Sequence, residues 1–416
     1  MKDKKSIFFS AITGNILEYY DFTVYAVFLT EIARTFFPQN SDFAQILMSL
    51  AVFAVGFATR PIGGILFGYI GDKYGRRVSL IFSMLGMTIP TFSMGLIPSY
   101  SEIGYYAPII LVFLRLVQGL CISGEGTGAA IFLLEHYKNM KPGFVTGLVH
   151  GSNIAGTIIA SFIGLIINKY FSEVEYAWRF AFLLGGLLGL IGFNLRLRVA
   201  ETPVFQELSE SKKTLKLPFF YVIKNSWRQM ILSFCLAGVA SSITYMVKSY
   251  VILYYETVMG FDKYTSIAYS LYGFFILMIS MPLSGMLVDR IGKAIVIKGF
   301  VISVIFLSLP VLYIMTIHNI YLQIISLTTL AVMAGGLSGA AYIFVISLFK
   351  PQERFSGVAF SYNLGIATFG GTSAMISKSL VAYTQLSYAP AFYLIGTSLM
   401  FLTSMTLLKK EVEKLN

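Results

Sequence analysis

The sequence predicts an all-α integral membrane protein with twelve transmembrane helices in two pseudo-symmetric six-helix halves. Three observations lead to this fold class: an apolar composition, the number of long apolar segments, and a loop sequence that occurs once in each half. Of the 416 residues, 56% are hydrophobic and 12% are charged, and the mean hydropathy is +0.75. Because a soluble protein has about 25% charged residues, this chain has too few to cover a water-exposed globule.

The apolar segments have the length that a membrane requires. A spanning helix needs about 20 mostly apolar residues, and twelve such segments are separated by charged, proline-rich or glycine-rich connections. The segments cover approximately residues 9–35, 43–69, 78–98, 106–135, 143–168, 178–197, 228–258, 265–288, 294–316, 319–348, 355–381 and 388–408. The longest polar connection divides the chain into an N-terminal half (1–198), a cytoplasmic linker (199–227) and a C-terminal half (228–416).

The distribution of basic residues predicts the orientation. Lys and Arg are concentrated in the connections that follow the even-numbered segments, and few lie in the connections on the other side. Connections rich in Lys and Arg stay in the cytoplasm. With an even number of segments, this predicts that both termini are cytoplasmic. Topology therefore accounts for the net charge of +11, and no nucleic-acid partner is expected.

One loop sequence occurs at the same place in each half. Residues 68–77 read GYIGDKYGRR after the second segment, and residues 285–293 read GMLVDRIGK after the eighth. The shared pattern is Gly-x-x-x-Asp-[Lys/Arg]-x-Gly-[Lys/Arg]. One copy alone is a weak signal, but two copies at equivalent positions indicate that the two halves arose by duplication.

Several motifs resemble a known family. The repeated loop in a chain of twelve segments resembles the major facilitator superfamily, and further motifs resemble its metabolite:proton symporter branch, which includes proline and glycine betaine transporters. These motifs are GNILEYYDF at 14–22, RPIGG at 60–64, RLVQG at 115–119 and ETPVF at 201–205. The resemblance covers nearly the whole chain. It departs after segment ten, where Phe349-Lys350-Pro351 lacks the acidic residue usual in the family.

The resemblance implies alternating access and assigns gating roles to the repeated loops. Asp72 is expected to pair with a basic residue or to accept hydrogen bonds from a helix N-terminus, because an acidic residue gains nothing from topology in a basic loop. The alternative is a tight basic turn that serves only orientation. The predicted gating residues are Asp72, Arg76, Arg77, Glu125, Asp289 and Arg290; for Glu125, a packing or proton-coupling role competes with gating.

Polar residues follow one face of the first segment. Asn15, Glu18, Asp21 and Tyr25 are three or four residues apart, which places them on one side of a helix. A charge in the membrane costs roughly 2.5 to 3.5 kcal/mol and is therefore usually functional. Since two nearby carboxylates cannot both ionise cheaply, Glu18 and Asp21 are predicted to couple transport to protons; the alternative is that they neutralise cations on neighbouring helices.

Basic residues complete the predicted site. The resemblance associates Arg115 with proton transfer, and we expect its guanidinium to pair with Glu18 or Asp21. Arg60 is predicted to bind a substrate carboxylate or to pair with Asp21. Lys248 lies deep in segment seven, where it would bind a substrate carboxylate or extend to the membrane surface. Tyrosine rings can bind a quaternary ammonium group. The predicted substrate-binding residues are Asn15, Tyr19, Arg60, Tyr245 and Lys248.

Together these features predict a monomeric, proton-coupled importer in the cytoplasmic membrane of a prokaryote. The expected substrate is a small zwitterionic osmolyte such as proline or glycine betaine. The alternatives are uptake of a mono- or dicarboxylate such as 2-oxoglutarate, or a transporter-like nutrient sensor. An enzyme is not expected, because three scattered histidines and two cysteines in apolar segments form no metal or nucleophile constellation. No cofactor or metal is expected.

Overall fold

A computed structural model describes residues 2–38, 42–137, 140–171, 173–211, 215 and 217–413. All regular secondary structure within these ranges is helical. The two chain termini, which are predicted to be cytoplasmic, lie outside the described residues. Contacts divide the chain into two compact units: unit 1 comprises Met1–His136 and Ser152–Pro218, and unit 2 comprises Tyr137–Gly151 and Phe219–Asn416.

The helices of unit 1 follow the first six predicted segments. They are α1 (Lys2–Val27), α2 (Leu29–Phe36), α3 (Asp42–Ala58), α4 (Arg60–Lys73), α5 (Arg76–Leu96), α6 (Tyr100–Ile103), α7 (Tyr106–His136), α8 (Pro142–Tyr170), α9 (Ala177–Leu197) and α10 (Pro203–Glu210). The start of α8 belongs to unit 2. The first two predicted segments are each broken once, at Phe28 and at Thr59. The second break precedes Pro61, which has no backbone N–H to continue the helix.

Unit 2 contains the remaining helices and two π-helical turns. The helices are α11 (Pro218–Asn225), α12 (Trp227–Tyr245), α13 (Val251–Thr257), α14 (Lys263–Ile291), α15 (Lys293–Ile314), α16 (Ile320–Leu348), α17 (Arg354–Gly365), α18 (Ser373–Thr384), α19 (Pro390–Leu407) and α20 (Lys409–Glu413). The π-helical turns are Met246–Tyr250 and Ile366–Gly370. Such turns are often found at functional sites.

Ten helical stretches in the described ranges are long and apolar enough to cross a membrane. The other two predicted segments are helical as well. Segment one contains the buried acidic residues of α1, and segment eleven is divided into the shorter helices α17 and α18. Large apolar side chains such as Phe113 and Phe306 are 62% and 72% exposed, as expected for helices that face lipid rather than water.

The two copies of the repeated loop have a similar backbone conformation at the second glycine of the shared pattern. Gly75 has φ 121° and Gly292 has φ 93°, values that residues with a side chain rarely adopt. Each glycine is the residue that immediately precedes the next helix, α5 or α15. The duplicated sequence pattern is therefore also a duplicated local structure.

Candidate functional site

The polar face of α1 is buried in unit 1. Asn15, Glu18 and Asp21 are at most 2% exposed. The side-chain amide of Asn15 donates hydrogen bonds to Ser152 Oγ at 2.6 Å and to Asn153 Oδ1, both on α8. Asn15 thus joins α1 to α8, and the two carboxyl groups lie further along the same buried face.

Glu18 lies beside a second carboxyl group and a guanidinium. Its carboxyl group interacts with Glu125 of α7, which lies within hydrogen-bond range, with Arg196 of α9, and more weakly with Asp21. Arg196 forms an ion pair with Glu125, and Ser83 Oγ donates to Glu125 Oε2 at 3.2 Å. No N–H or hydroxyl group in the described ranges donates to a Glu18 oxygen. Three helices therefore bring two acidic residues and one basic residue together.

Arg196 is a site residue that sequence reasoning missed. Its position in the last turn of α9 suggested only a contribution to orientation. The available signal was that it ends an apolar segment, where a long side chain can extend back into the bundle. Glu125 is correspondingly not an isolated gating residue, because it shares a cluster with Glu18.

The expected pairing of Arg115 with Glu18 or Asp21 is wrong. The Arg115 guanidinium lies over aromatic rings, at 4.2 Å from the centroid of Tyr25 and 4.9 Å from that of Phe22. Its Nη1 donates to Gln118 Oε1 at 2.8 Å. The one-turn spacing on α7 favours that local bond, and the ring of Phe22 covers the guanidinium from the α1 side.

Two neutral side chains lie between Arg115 and Asp21. Gln118, which accepts the hydrogen bond from Arg115, donates from Nε2 to Thr91 Oγ1 at 2.8 Å. The Thr91 hydroxyl donates to the Met87 carbonyl at 2.9 Å, and the Thr91 side chain lies beside the Asp21 carboxyl group.

Arg60 also lies over aromatic rings rather than beside Asp21, so that suggested pairing is wrong too. Its guanidinium is 4.8 Å from the centroid of Phe22 and 4.5 Å from that of Phe57. Arg60 and Arg115 are at most 1% exposed, and neither forms an ion pair with a carboxylate in the described ranges. Phe22 therefore contacts two buried guanidinium groups whose positive charges could be compensated by a bound anion.

Tyr19 is buried where α1 approaches α8 closely. A Cβ at Gly156 of α8 would lie 3.0 Å from the Tyr19 Cβ, so the absence of a side chain at Gly156 allows this approach. Tyr19 thus lies on the α8 side of α1, whereas Phe22 contacts the two guanidinium groups.

The first repeated loop contains a buried charge network. Arg76 Nη1 is 3.3 Å from Asp72 Oδ1 and donates to the Gly71 carbonyl at 2.7 Å, and its Nε is 3.3 Å from Glu135 Oε2. Arg77 Nη2 donates to the Leu197 carbonyl at 2.6 Å. Asp72 thus pairs with a basic residue of its own loop, one of the two arrangements expected.

Glu201 binds the backbone of the same loop and Thr202 binds Glu135 of its charge network, although the sequence suggested only a family motif there. Glu201 accepts hydrogen bonds from the backbone N–H groups of Arg76 and Arg77 at 3.1 and 3.0 Å, and burial raises the pKa of its carboxyl group. Thr202 Oγ1 donates to Glu135 at 2.7 Å and accepts from Phe205 N. A threonine before Pro203 is a helix-start signal. The sequence could therefore predict the helix cap at Thr202, but not the residues that Glu201 and Thr202 bind.

In the second repeated loop, the acidic residue binds the N-terminus of a helix. Asp289 accepts hydrogen bonds from the backbone N–H groups of Gly143 and Phe144, at 2.7 and 2.8 Å. These residues are in the first turn of α8, within unit 2. This is the other arrangement expected for Asp72. Arg290, a predicted gating residue, is exposed.

Lys248 lies in the first π-helical turn of unit 2. The Lys248 ammonium is 5.4 Å from the centroid of the Tyr245 ring, and both residues are partly buried. His150 interacts electrostatically with Lys248, stacks on Tyr342 at 4.1 Å and donates from Nδ1 to the Ser338 carbonyl at 2.7 Å. Lys248 is therefore part of an aromatic cluster.

An acidic residue lies close to where the family pattern is missing one. Glu353 is 3% exposed and accepts a hydrogen bond from Ser226 Oγ at 2.9 Å. It follows the Lys350-Pro351 step and precedes the first residue of α17.

Within the described residues, His, Cys, Asp and Glu side chains form no group that could hold a metal ion.

A comparison with known proteins identifies the family. The family model described as the Major Facilitator Superfamily matches residues 11–375. The chain belongs to the major facilitator superfamily. This confirms the predicted resemblance and the predicted fold class, the twelve-helix fold of that superfamily.

Relatives within the superfamily are named as transporters. The glycine betaine/proline/ectoine/pipecolic acid transporter OusA of Dickeya dadantii is 31% identical over 97% of this chain and 83% of its own length. The proline/betaine transporter of Escherichia coli is 29% identical over the same shares. The expectation of a multi-pass membrane transporter rather than an enzyme is thereby confirmed.

A solved structure has the same fold. The proton:xylose symporter XylE, bound to a bromodeoxyglucose, superposes with a TM-score of 0.72 at 18% identity, covering 98% of this chain and 96% of its own. At this level of identity the likeness concerns the fold.

Proposed function

We propose that the protein is a proton-coupled symporter that imports a small zwitterionic osmolyte such as proline or glycine betaine across the cytoplasmic membrane of a prokaryote, acting as a monomer. The names of its relatives support this substrate class. The observation that carries the proposal is the pair of buried guanidinium groups, Arg60 and Arg115, that both contact Phe22 on the helix with the buried acidic face.

The two ends of a zwitterion would meet complementary groups in unit 1. Its carboxylate would bind the guanidinium groups of Arg60 and Arg115, which can each donate two parallel hydrogen bonds. Its cationic end would lie against the rings of Phe53 and Tyr25, which attract ammonium groups. Carboxylate binding would compensate positive charge that no acidic side chain in the described ranges neutralises.

Coupling to protons would use the acidic residues of α1. A proton on Glu18 or Asp21 would remove a buried negative charge and so favour the substrate-loaded state. The side chains of Thr91 and Gln118, which lie between Asp21 and Arg115, would couple that change to the substrate site. Each inward proton contributes about 2.3 kcal/mol per 100 mV of membrane potential, which is enough to concentrate a solute.

Gating would involve the two repeated loops and the linker. We assign Asp72, Arg76 and Arg77 with their partner Glu201 to the gate of the N-terminal half (1–198 with linker 199–227), and Asp289 and Arg290 to that of the C-terminal half (228–416). Breaking or forming their buried bonds would favour one state of each half over another.

A carboxylate substrate such as 2-oxoglutarate is the second candidate. It is favoured by Lys248, a third cationic group that lies in an aromatic cluster of unit 2 with Tyr245. The Lys248 ammonium can bind a carboxylate, and a dicarboxylate has two such groups, whereas a zwitterion has only one.

Uptake by proteoliposomes tests the proposal. Labelled proline, glycine betaine and 2-oxoglutarate would be offered with an imposed inward proton gradient, with and without a protonophore. We expect gradient-dependent accumulation of a zwitterion, and a loss of at least about tenfold in Arg60→Gln and Arg115→Gln. The matched control is Arg198→Gln, because Arg198 is exposed.

The alternatives give distinct results. Accumulation of 2-oxoglutarate alone would replace the zwitterion by a carboxylate substrate. Binding of a zwitterion without any accumulation would favour a transporter-like nutrient sensor. Normal uptake by both arginine variants would contradict the substrate site.

A further inference from the structure

The cluster of Glu18, Glu125 and Arg196 is separate from the two guanidinium groups on Phe22. Its three side chains come from α1, α7 and α9, and none is more than 4% exposed. The Arg196 guanidinium is paired with Glu125, Glu18 lies within hydrogen-bond range of Glu125, and no N–H or hydroxyl group in the described ranges donates to Glu18. The cluster is therefore an incompletely satisfied buried ion group, which is costly unless one member is neutral.

The charges of the cluster do not balance when both acids are ionised. Two carboxylates and one guanidinium leave one negative charge without a partner, away from water. The other titratable groups that face Glu18 are Asp21 on α1 and Cys121 on α7, and neither supplies a positive charge. Two adjacent carboxyl groups in such a site hold one proton between them.

Arg196 is close to both acids. A side chain at Gly14, one turn before Glu18 on α1, would overlap the Arg196 guanidinium, so this guanidinium lies against the backbone of α1 near Glu18. Its Nε has no hydrogen-bond partner in the described part of the chain. The guanidinium can thus contact Glu18 through a small movement, without leaving Glu125.

We propose that Glu18 and Glu125 share the proton that drives transport, and that Arg196 sets the pH at which this proton is released. The inference rests on the proposed symport and replaces Asp21 by Glu125 as the partner of Glu18. Release transfers one H⁺ from the pair to the aqueous phase and leaves two carboxylates that share Arg196; uptake of one H⁺ reverses the step. Arg196 is a positioning residue, since it gives up no proton.

The pH profile of proton-driven uptake tests the proposal, because opposite changes are expected for the two partners. In Glu125→Gln, Glu18 is left with Arg196 alone and holds the proton more weakly. The half-maximal external pH is expected to fall by at least about one unit, a tenfold change in proton affinity. In Arg196→Gln, the carboxyl pair loses its cation and releases the proton less readily, so the half-maximal pH is expected to rise.

Two further measurements separate a proton defect from a folding defect. Exchange of labelled for unlabelled substrate, without a proton gradient, is expected to stay within about threefold of wild type in Arg196→Gln, because exchange needs no proton release. Accumulation is expected to be lost in Glu18→Gln. Arg198→Gln, two residues from Arg196 and exposed, and Glu102→Gln, outside the cluster, are the controls and are expected to keep the wild-type profile.

Infrared difference spectroscopy of the substrate-free protein tests the shared proton without transport. A pH step is expected to remove one protonated-carboxyl band, which is absent from Glu18→Gln and is lost at a lower pH in Glu125→Gln than in the wild type. Shifts of the uptake profile in the same direction for Glu125→Gln and Arg196→Gln, or an unchanged band in either glutamine variant, would overturn the proposal. Absence of uptake and exchange in the wild-type protein with the band present would overturn the proposed symport and leave the proton pair standing.

Discussion

The two copies of the repeated loop differ in the partner of the basic residue at the last position of the pattern. In the first copy, Arg76 pairs with Asp72 and with Glu135 in a buried network. In the second, the corresponding Lys293 donates to Ser347 Oγ at 3.1 Å, and Asp289 accepts hydrogen bonds from the first backbone N–H groups of α8. The same sequence pattern therefore places its last basic residue in an ion network in one unit and beside a hydroxyl group in the other.

The difference follows from the residue at the last position of the pattern. Arg76 has a planar group that reaches Asp72, Gly71 and Glu135 at once, whereas the ammonium of Lys293 is a single point charge. Glu201 of the linker accepts hydrogen bonds from the backbone of the first copy, and Thr202 donates to Glu135 in its charge network. The two loops can thus contribute differently to stability, and we expect the first copy to be destabilised more by loss of its basic charge.

The largest effect is expected for Arg76→Gln compared with Lys293→Gln. Loss of Arg76 removes the guanidinium that two buried carboxylates contact, which costs about 3 to 5 kcal/mol. Lys293→Gln is expected to cost less than about 1 kcal/mol, because an amide can still donate to Ser347. Thermal unfolding in detergent measures both. Equal losses would show that the two copies do not differ in their dependence on charge.

A smaller effect is expected at Gly75 and Gly292, the loop glycines with positive φ. An alanine at either position is strained by about 1 to 3 kcal/mol. In Gly75→Ala the new Cβ would also overlap the Glu201 carboxylate, whereas nothing lies within 4 Å of a Cβ at Gly292. Gly75→Ala should therefore be the more destabilising of the two in the same unfolding assay. The reverse order would contradict the contact of the Glu201 carboxylate with the first loop.

The smallest effect is expected for the helix cap formed by Asp289. Asp289→Ala removes the acceptor of two backbone N–H groups and should cost about 1 to 2 kcal/mol. Asp289→Asn retains an acceptor oxygen and should recover most of this loss. Hydrogen exchange of the Gly143 and Phe144 amides reads out the cap directly. Unchanged exchange in Asp289→Ala would mean that the cap does not protect these amides.

Properties that depend on neighbouring residues along the chain could be predicted from the sequence. The twelve segments follow from hydropathy, because each spanning helix must satisfy its own backbone in lipid. The burial of Asn15, Glu18 and Asp21 on one face of α1 follows from their spacing. The similar local structure of the two loops follows from the duplicated pattern, in which Gly75 and Gly292 occupy the same position and both have positive φ.

The partners of the charged residues could not be predicted in the same way. Arg115 was expected beside an acidic residue but lies on Tyr25 and Phe22, and Arg196 was assigned to topology but pairs with Glu125. Spacing along one helix determines which residues share a face, but it does not determine which neighbouring helix that face meets or how the two are rotated.

The sequence by itself determined that this protein spans a membrane, that it consists of two related halves, and that α1 presents a buried acidic face. Only the tertiary structure decided which guanidinium meets which carboxyl group, which arginines meet aromatic rings, and which loop binds the linker. The physical reason is that hydropathy and helical period are local, whereas a buried charge is stabilised by groups from other helices that lie far away in the sequence.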